Sequence, residues 1–138
     1  MILADAGPLV AVLDRRDPHH RRCMEVAPAF SVGPLLTTWP CFAEAMYLLH
    51  SRGGYRYQEA LWEMYGGGGI QMLDLTPAET LRMADLMARY RDVPMDLADA
   101  SLVVAAERRS ERRIFTLDSH FWTYRLSDGS ALEPIPGR

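Results

Sequence analysis

The 138-residue sequence contains no lysine: all 15 of its basic residues are arginine, set against 18 acids. That absence excludes several chemistries in their usual form. A phosphate-binding P-loop needs its lysine, a Schiff-base enzyme needs an amine, and a phospho-receiver normally needs one too. Cysteine is scarce. Cys23 and Cys41 make no CxxC spacing, so neither a disulfide framework nor zinc is indicated, and a reducing, cytoplasmic setting is expected. No apolar run approaches the roughly 20 residues of a membrane span, so no membrane partner is expected. The opening MILADAGPLVAVL also lacks the basic region of a signal peptide. Repeats, low-complexity stretches and linkers are missing, and the length predicts one domain over residues 1–138. A formal net charge of −3 offers no initial reason to expect nucleic-acid binding.

What is present alternates. Apolar runs at Met1 to Ala4, Leu35 to Thr38, Ile70 to Leu75 and Ile114 to Leu117 predict strands, with Ala131 to Ile135 as an edge strand limited by Pro134 and Pro136. Helices are predicted between them: Leu9 to Leu13 after a turn at Gly7-Pro8, one capped by Asp17 with Pro18 in its first turn, and one after Pro40 that stops near Gly53-Gly54. Others cover Tyr55 to Tyr65, the stretch after the capping box Thr76-Pro77-Ala78-Glu79, and Asp96 to about Arg109. Strands separated by helices throughout predict an α/β sandwich around a mostly parallel sheet. Ligands of such sheets gather beyond the carboxyl ends of the strands.

Most acids sit among other polar residues, but five stand alone in apolar company: Asp5, Glu44, Asp96, Asp99 and Asp118. Asp5 and Asp118 fall at the carboxyl ends of predicted strands. Asp96 and Asp99 share one face of a helix's first turn. Each has a plain structural reading: Asp5 as a turn residue, Asp96 as an N-cap with Asp99 three residues on, Asp118 as the cap of Ser119 to Trp122, and Glu44 on an exposed helix stripe. Those readings do not explain why all five lie among core-like residues. Two carboxylates about 5 Å apart repel by roughly 3 kcal/mol at an effective dielectric near 20. A cluster of this kind therefore demands a cation or shifted pKa values. Hard oxygen donors favour Mg²⁺ or Mn²⁺ over zinc.

Four blocks carry a resemblance: ADAGPLVA at 4–11, CFAEAMYLL at 41–49, PMDLADASLVVAAE at 94–107 and FTLDSHF at 115–121. Together, and in this order, the chain resembles the PIN-domain ribonucleases, specifically the VapC-type toxins of bacterial toxin–antitoxin pairs. The resemblance implies a PIN-like three-layer sandwich and a Mg²⁺- or Mn²⁺-dependent endoribonuclease. It implies Asp5, Glu44 and Asp99 as central carboxylates, Asp118 as the fourth, and Asp96 as a further acid. Thr116 would orient Asp118 or a metal-bound water. It also implies an RNA substrate, a homodimer and a cognate antitoxin. Ala6 departs from the pattern, since many relatives have Ser or Thr after the first Asp, and a hydroxyl contact to metal or phosphate is then missing.

RNA phosphates also need cations. The candidates are Arg15, Arg16, Arg21 and Arg22, with Arg52 and Arg56. Arg108, Arg109, Arg112 and Arg113 read better as a solvated helix end at the amino edge of the sheet. His19, His20 and Tyr57 could stack on bases. Gly66 to Gly69 lacks the Lys-Ser/Thr of a phosphate loop, and His50 and His120 have no paired ligand spacing. Trp39, Trp62 and Trp122 are core or interface anchors. The alternatives are an RNA-processing PIN nuclease without an antitoxin, or a catalytically idle module holding a structural ion. A haloacid-dehalogenase-like phosphatase would want a second acid where Gly7 stands. With the five site acids set aside, 13 acids face 15 arginines, so the surface outside the pocket is not anionic.

Overall fold

The computed structural model describes residues 1–30 and 33–137. Five strands, β1 (Leu3–Ala4), β2 (Leu35–Thr38), β3 (Ile70–Leu73), β4 (Arg113–Phe115) and β5 (Glu133–Ile135), form one sheet in the order β3-β2-β1-β4-β5. Every neighbouring pair is parallel. Strand β1 is only two residues long, but its pairing continues where the Asp5 N–H donates to the Phe115 carbonyl at 2.9 Å.

Alternation along each strand sorts the core into two layers. Leu3, Leu36 and Ile114 face one side of the sheet; Ala4, Leu35 and Phe115 face the other. The first side is covered by α5 (Pro77–Arg89) and α6 (Leu97–Arg109), the second by α1 (Ala6–Leu13), α3 (Trp39–Gly53) and α4 (Tyr55–Gly66). This is an α/β sandwich with helices on both faces of a parallel sheet. Helix α6 is buried continuously from Ala98 to Ala106, and its small and branched residues suit a helix enclosed on every side. Its carboxyl end is tied down by Arg108, which pairs with Glu79 and donates to the Asp74 carbonyl at 2.6 Å. Glu79 also closes the Thr76 capping box of α5, and the Arg108 hydrogen bond drives its carboxyl down to about 2. Arg112 pairs with Glu133 and Arg113 with Glu111, so these cations have structural partners near the amino ends of β4 and β5.

Two local expectations are corrected. Helix α1 begins at Ala6 rather than Leu9. Gly7 and Pro8 fall in its first turn, where a missing N–H costs nothing. Helix α2 (His20–Val26) begins after His19, so Asp17 is not its N-cap. The Asp17 carboxylate is instead drawn to Arg52 while also accepting the His19 N–H at 2.7 Å.

The strand order places a topological switch between β1 and β4: the chain leaves β1 toward β2 and β3, then returns to the other side of β1. A crevice at the carboxyl ends of those two strands follows from that reversal.

Candidate active site

Three helical starts converge on the crevice, and an aspartate caps each. Asp5, directly after β1, caps α1, its Oδ1 accepting the Ala6 N–H at 2.8 Å. Asp96 caps α6, its Oδ1 accepting the Asp99 N–H at 2.8 Å. Asp118, in the loop after β4, caps the 3-10 turn Ser119–Trp122, its Oδ1 accepting the His120 N–H at 2.9 Å. The plain structural readings of these three acids are therefore correct as well. A carboxylate has about four lone-pair directions, so a capping bond leaves most of them for something else. The N-terminal dipole ends of the helices also make the crevice more tolerant of negative charge.

The five acids line one open pocket of about 260 Å³, between the apolar side chains of Leu48 and Leu117. Asp5 and Asp99 are buried, at 7% and 5% exposure; Asp118 is half-buried, and Asp96 and Glu44 stand at the open rim. Among the described residues no cationic side chain lines this pocket. Three of these acids show the electrostatic consequence in the same direction. Burial pushes the Asp5 carboxyl up to about 6 against the hydrogen bonds from Thr116 and Ala6, and the charges of Asp118 and Asp96 add to it. Burial also raises Asp99, opposed by a hydrogen bond from Tyr124 and assisted by the charges of Asp96 and Asp5. Glu44 is pushed up to about 7, by removal from water on its pocket side and then by Asp5, Asp96 and Asp118.

Two hydroxyls position the buried carboxylates. Thr116 Oγ1 donates to Asp5 Oδ2 at 2.9 Å and accepts the Asp118 backbone N–H at 3.1 Å. Thr116 therefore holds the Asp5 carboxylate and the backbone of Asp118 together. The Tyr124 hydroxyl, fully buried, donates to Asp99 Oδ2 at 2.7 Å. Nothing in the sequence marked Tyr124, which lies 25 positions from its partner. His120 was given no ligand role either. Its ring nevertheless reaches the crevice, with donor atoms of Asp99, Asp118 and His120 all within 4.8 Å of one another. The signal was its placement two residues after Asp118, beyond a strand end.

A divalent cation fits this donor set. The buried acids repel one another, hold their protons abnormally tightly and, among the described residues, have no cationic side chain lining their pocket, all of which an ion among them would reverse. Carboxylate oxygens with at most one imidazole nitrogen suit Mg²⁺ or Mn²⁺.

The proposed phosphate cations divide. Arg16 and Arg52 are engaged in an ion-pair network with Asp14 and Asp17, away from the acids. Arg21 pairs with Glu25, while Arg15 and Arg56 are exposed. Arg22 lies on a second cavity beside the acidic one. Trp39 and Trp62, both exposed, pack around the buried Phe42 ring and the half-buried Tyr65 on α3 and α4. No helix among the described residues is long and apolar enough to cross a membrane.

Known proteins share this architecture. The PIN domain family model matches residues 2–125. Ribonuclease VapC26 of Mycobacterium tuberculosis (strain ATCC 25618 / H37Rv) is 31% identical over 136 residues, covering 98% of this chain and all of that protein. Among solved structures, M. tuberculosis VapC20, a Sarcin-Ricin loop cleaving toxin, superposes with a TM-score of 0.78 at 16% identity, over 86% of this chain and 91% of its own. VapBC2 from Rickettsia felis, bound to a DNA fragment from their promoter, superposes at 0.65 with 12% identity, over 97% and 98%.

Proposed function

The chain belongs to the PIN-domain family, among its VapC-like ribonuclease toxins, and from that premise we propose that it is a Mg²⁺- or Mn²⁺-dependent endoribonuclease. The observation that carries the reading is the pocket itself: five carboxylates brought from separate parts of the chain, with no arginine lining it among the described residues. A phosphodiester would be repelled by that pocket unless a cation inverted its sign. When bound, the ion supplies Lewis-acid polarisation of a phosphoryl oxygen and a nucleophilic water at neutral pH.

The residues have separable tasks in this mechanism. Asp5 and Asp99 would hold the ion from the buried floor, with the half-buried Asp118 and the exposed Asp96 completing the oxygen set. Thr116 keeps the Asp5 carboxylate in place, and Tyr124 fixes the rotamer of Asp99. Glu44, at the opening, accepts a hydrogen bond from the attacking water and turns it toward phosphorus. Leu48 and Leu117 limit bulk water on either side.

We place the chain as the toxin of a toxin–antitoxin pair in the cytoplasm, working as a homodimer and restrained by a cognate antitoxin. The relatives named above support that placement. Its two free cysteines, both buried, suit a reducing compartment. The decisive test is cleavage of RNA by purified protein with Mg²⁺ or Mn²⁺. Activity should vanish in chelator and in Asp99→Asn, and inducible expression should be toxic for the wild type alone. Equal RNA cleavage by Asp99→Asn would sink this mechanism. A metal-binding protein that cleaves no RNA would instead be an idle module. A cleaving protein with no antitoxin gene beside its own would be an RNA-processing nuclease.

A further inference from the structure

A second cavity of about 180 Å³ abuts the acidic pocket, and Leu117 and Asp118 line both. Its remaining walls differ in character. One side carries Arg22 from α2 with His19 just before it; the other carries Trp122, with Pro134 and Pro136 from β5 and the segment after it; Ser119 offers a hydroxyl. Arg22 is braced across the cavity by donating to the Gly137 carbonyl, which fixes the guanidinium at the mouth. A guanidinium carries five N–H donors, so this one bond leaves others for a phosphate. Together these groups form a cation, a flat apolar wall with an indole, and a small hydroxyl, with Asp118 on the wall shared with the acidic pocket.

Resting on the nuclease reading above, we propose that this cavity is a nucleotide subsite for single-stranded RNA. It holds the base of a residue flanking the cleaved bond against Trp122 and the two prolines, and Arg22 with His19 holds the adjoining phosphate. The chemistry on the two sides of Leu117 is complementary. The acidic side needs an ion before it can accept a phosphate, whereas the Arg22 side accepts one directly. A strand crossing from one to the other would be registered by Arg22 and oriented by the indole, since bases stack on aromatic faces and guanidiniums grip phosphates. Of the six candidate arginines in the sequence, Arg22 lines a cavity that shares walls with the acidic pocket.

The test uses the full chain carrying Asp99→Asn, to stop cleavage, and a fluorescein-labelled single-stranded RNA of mixed sequence in Mg²⁺, titrated at several salt concentrations. Arg22→Ala should weaken binding roughly tenfold and make the slope of log affinity against log salt shallower by about 0.7, the value for one phosphate contact on a single strand. Trp122→Ala should weaken binding by roughly tenfold with the slope unchanged, as expected for a lost stacking face. Trp122→Phe, which keeps an aromatic face, should retain most of the affinity and serves if the alanine variant does not fold. Arg112→Ala, at the amino end of β4, should change neither quantity. In the cleaving background the same substitutions should raise KM and leave kcat within about twofold. Unchanged affinity and salt slope in Arg22→Ala overturn the subsite, including the case where that variant loses a protein partner instead. A wild type that cleaves no RNA overturns the nuclease reading itself. A wild type that cleaves, with Arg22 and Trp122 variants indistinguishable from it, overturns only the subsite.

Discussion

Helix α1 carries a buried aspartate at each end, and the two have opposite surroundings. Asp5 caps the amino end and Asp14 the carboxyl end, at 7% and 2% exposure. The helix dipole favours a negative charge at the first position and opposes it at the second. Yet Asp14 is the one held below the usual carboxylate range. Burial pushes it up, but hydrogen bonds from the Arg16 N–H and Arg52, with the charges of both arginines, overcome that. Arg52 also binds Asp17, and Arg16 donates to the Arg52 carbonyl and the Tyr57 hydroxyl, so the α1–α2 turn is tied to the α3–α4 turn. The Tyr57 ring lies so close to Gly53 that a Cβ there would stand 2.3 Å from it. One end is neutralised by the fold; the other has no cationic side chain lining its pocket among the described residues. A site is distinguished from a structural ion network by which charges the fold leaves unanswered.

The sharpest way to break the comparison is at its unanswered end. Asp99→Asn should lower RNA cleavage by at least about 10³-fold, near 4 kcal/mol in activation. The thermal midpoint of the ion-free protein should rise, because a buried repulsion has gone; a paired assay of cleavage and melting checks both.

The pH response should separate the two ends next. The Asp5 carboxyl titrates near 6 in the fold against 3.8 when unfolded, so between those values the fold retains a proton that the unfolded chain has released. In chelator, this group's contribution to stability is therefore full below about pH 4. It falls as pH rises through that window and stays low above it, by at most about 3 kcal/mol for roughly two pH units. Asp14 works the other way, stabilising above its unfolded value and losing that contribution as acid drives pH through its depressed one. Melting curves against pH should show Asp5→Asn flattening the loss between about pH 4 and 6, and Mg²⁺ should raise the midpoint more at pH 7.5 than at pH 5.

Arg52→Ala attacks the answered end. It should destabilise by about 2 kcal/mol in urea titration, less than a fully buried pair because Arg52 is partly solvated. RNA cleavage by the folded fraction should be unchanged. The smallest effect belongs to the supports. Thr116→Val or Tyr124→Phe should each reduce cleavage or Mg²⁺ affinity roughly tenfold with the fold intact, and Thr116→Ser should restore it. If Arg52→Ala proved as damaging to cleavage as Asp99→Asn, the distinction between the two ends of α1 would collapse.

Much of this was legible before any coordinates. The capping box at Thr76 and Glu79, the strand Leu35–Thr38 and the breaks at Gly53 and Gly54 depend on residues near one another in sequence, and each appears where its local pattern put it. The five acids were conspicuous because carboxylates in apolar surroundings are expensive unless compensated. Where the reading failed, a distant residue had intervened. Asp17 has the makings of a cap, but Arg52, 35 positions away, claims its carboxylate. Tyr124 looks like any core aromatic until its hydroxyl is seen against Asp99, and His120 has no partner until β4 carries it to the crevice.

Local propensity and composition account for the alternation of strands and helices, the place of the four aspartates at element starts or strand ends, and the exclusion of lysine chemistry. Which charges find a partner is settled by the packing of segments distant in the chain. Asp5 and Asp14 are nine residues apart, both buried, and equivalent as letters. Their difference comes from Arg52 reaching one and from Asp118 and Asp96 crowding the other, and Coulomb interactions of that kind depend on distance through space, not along the chain.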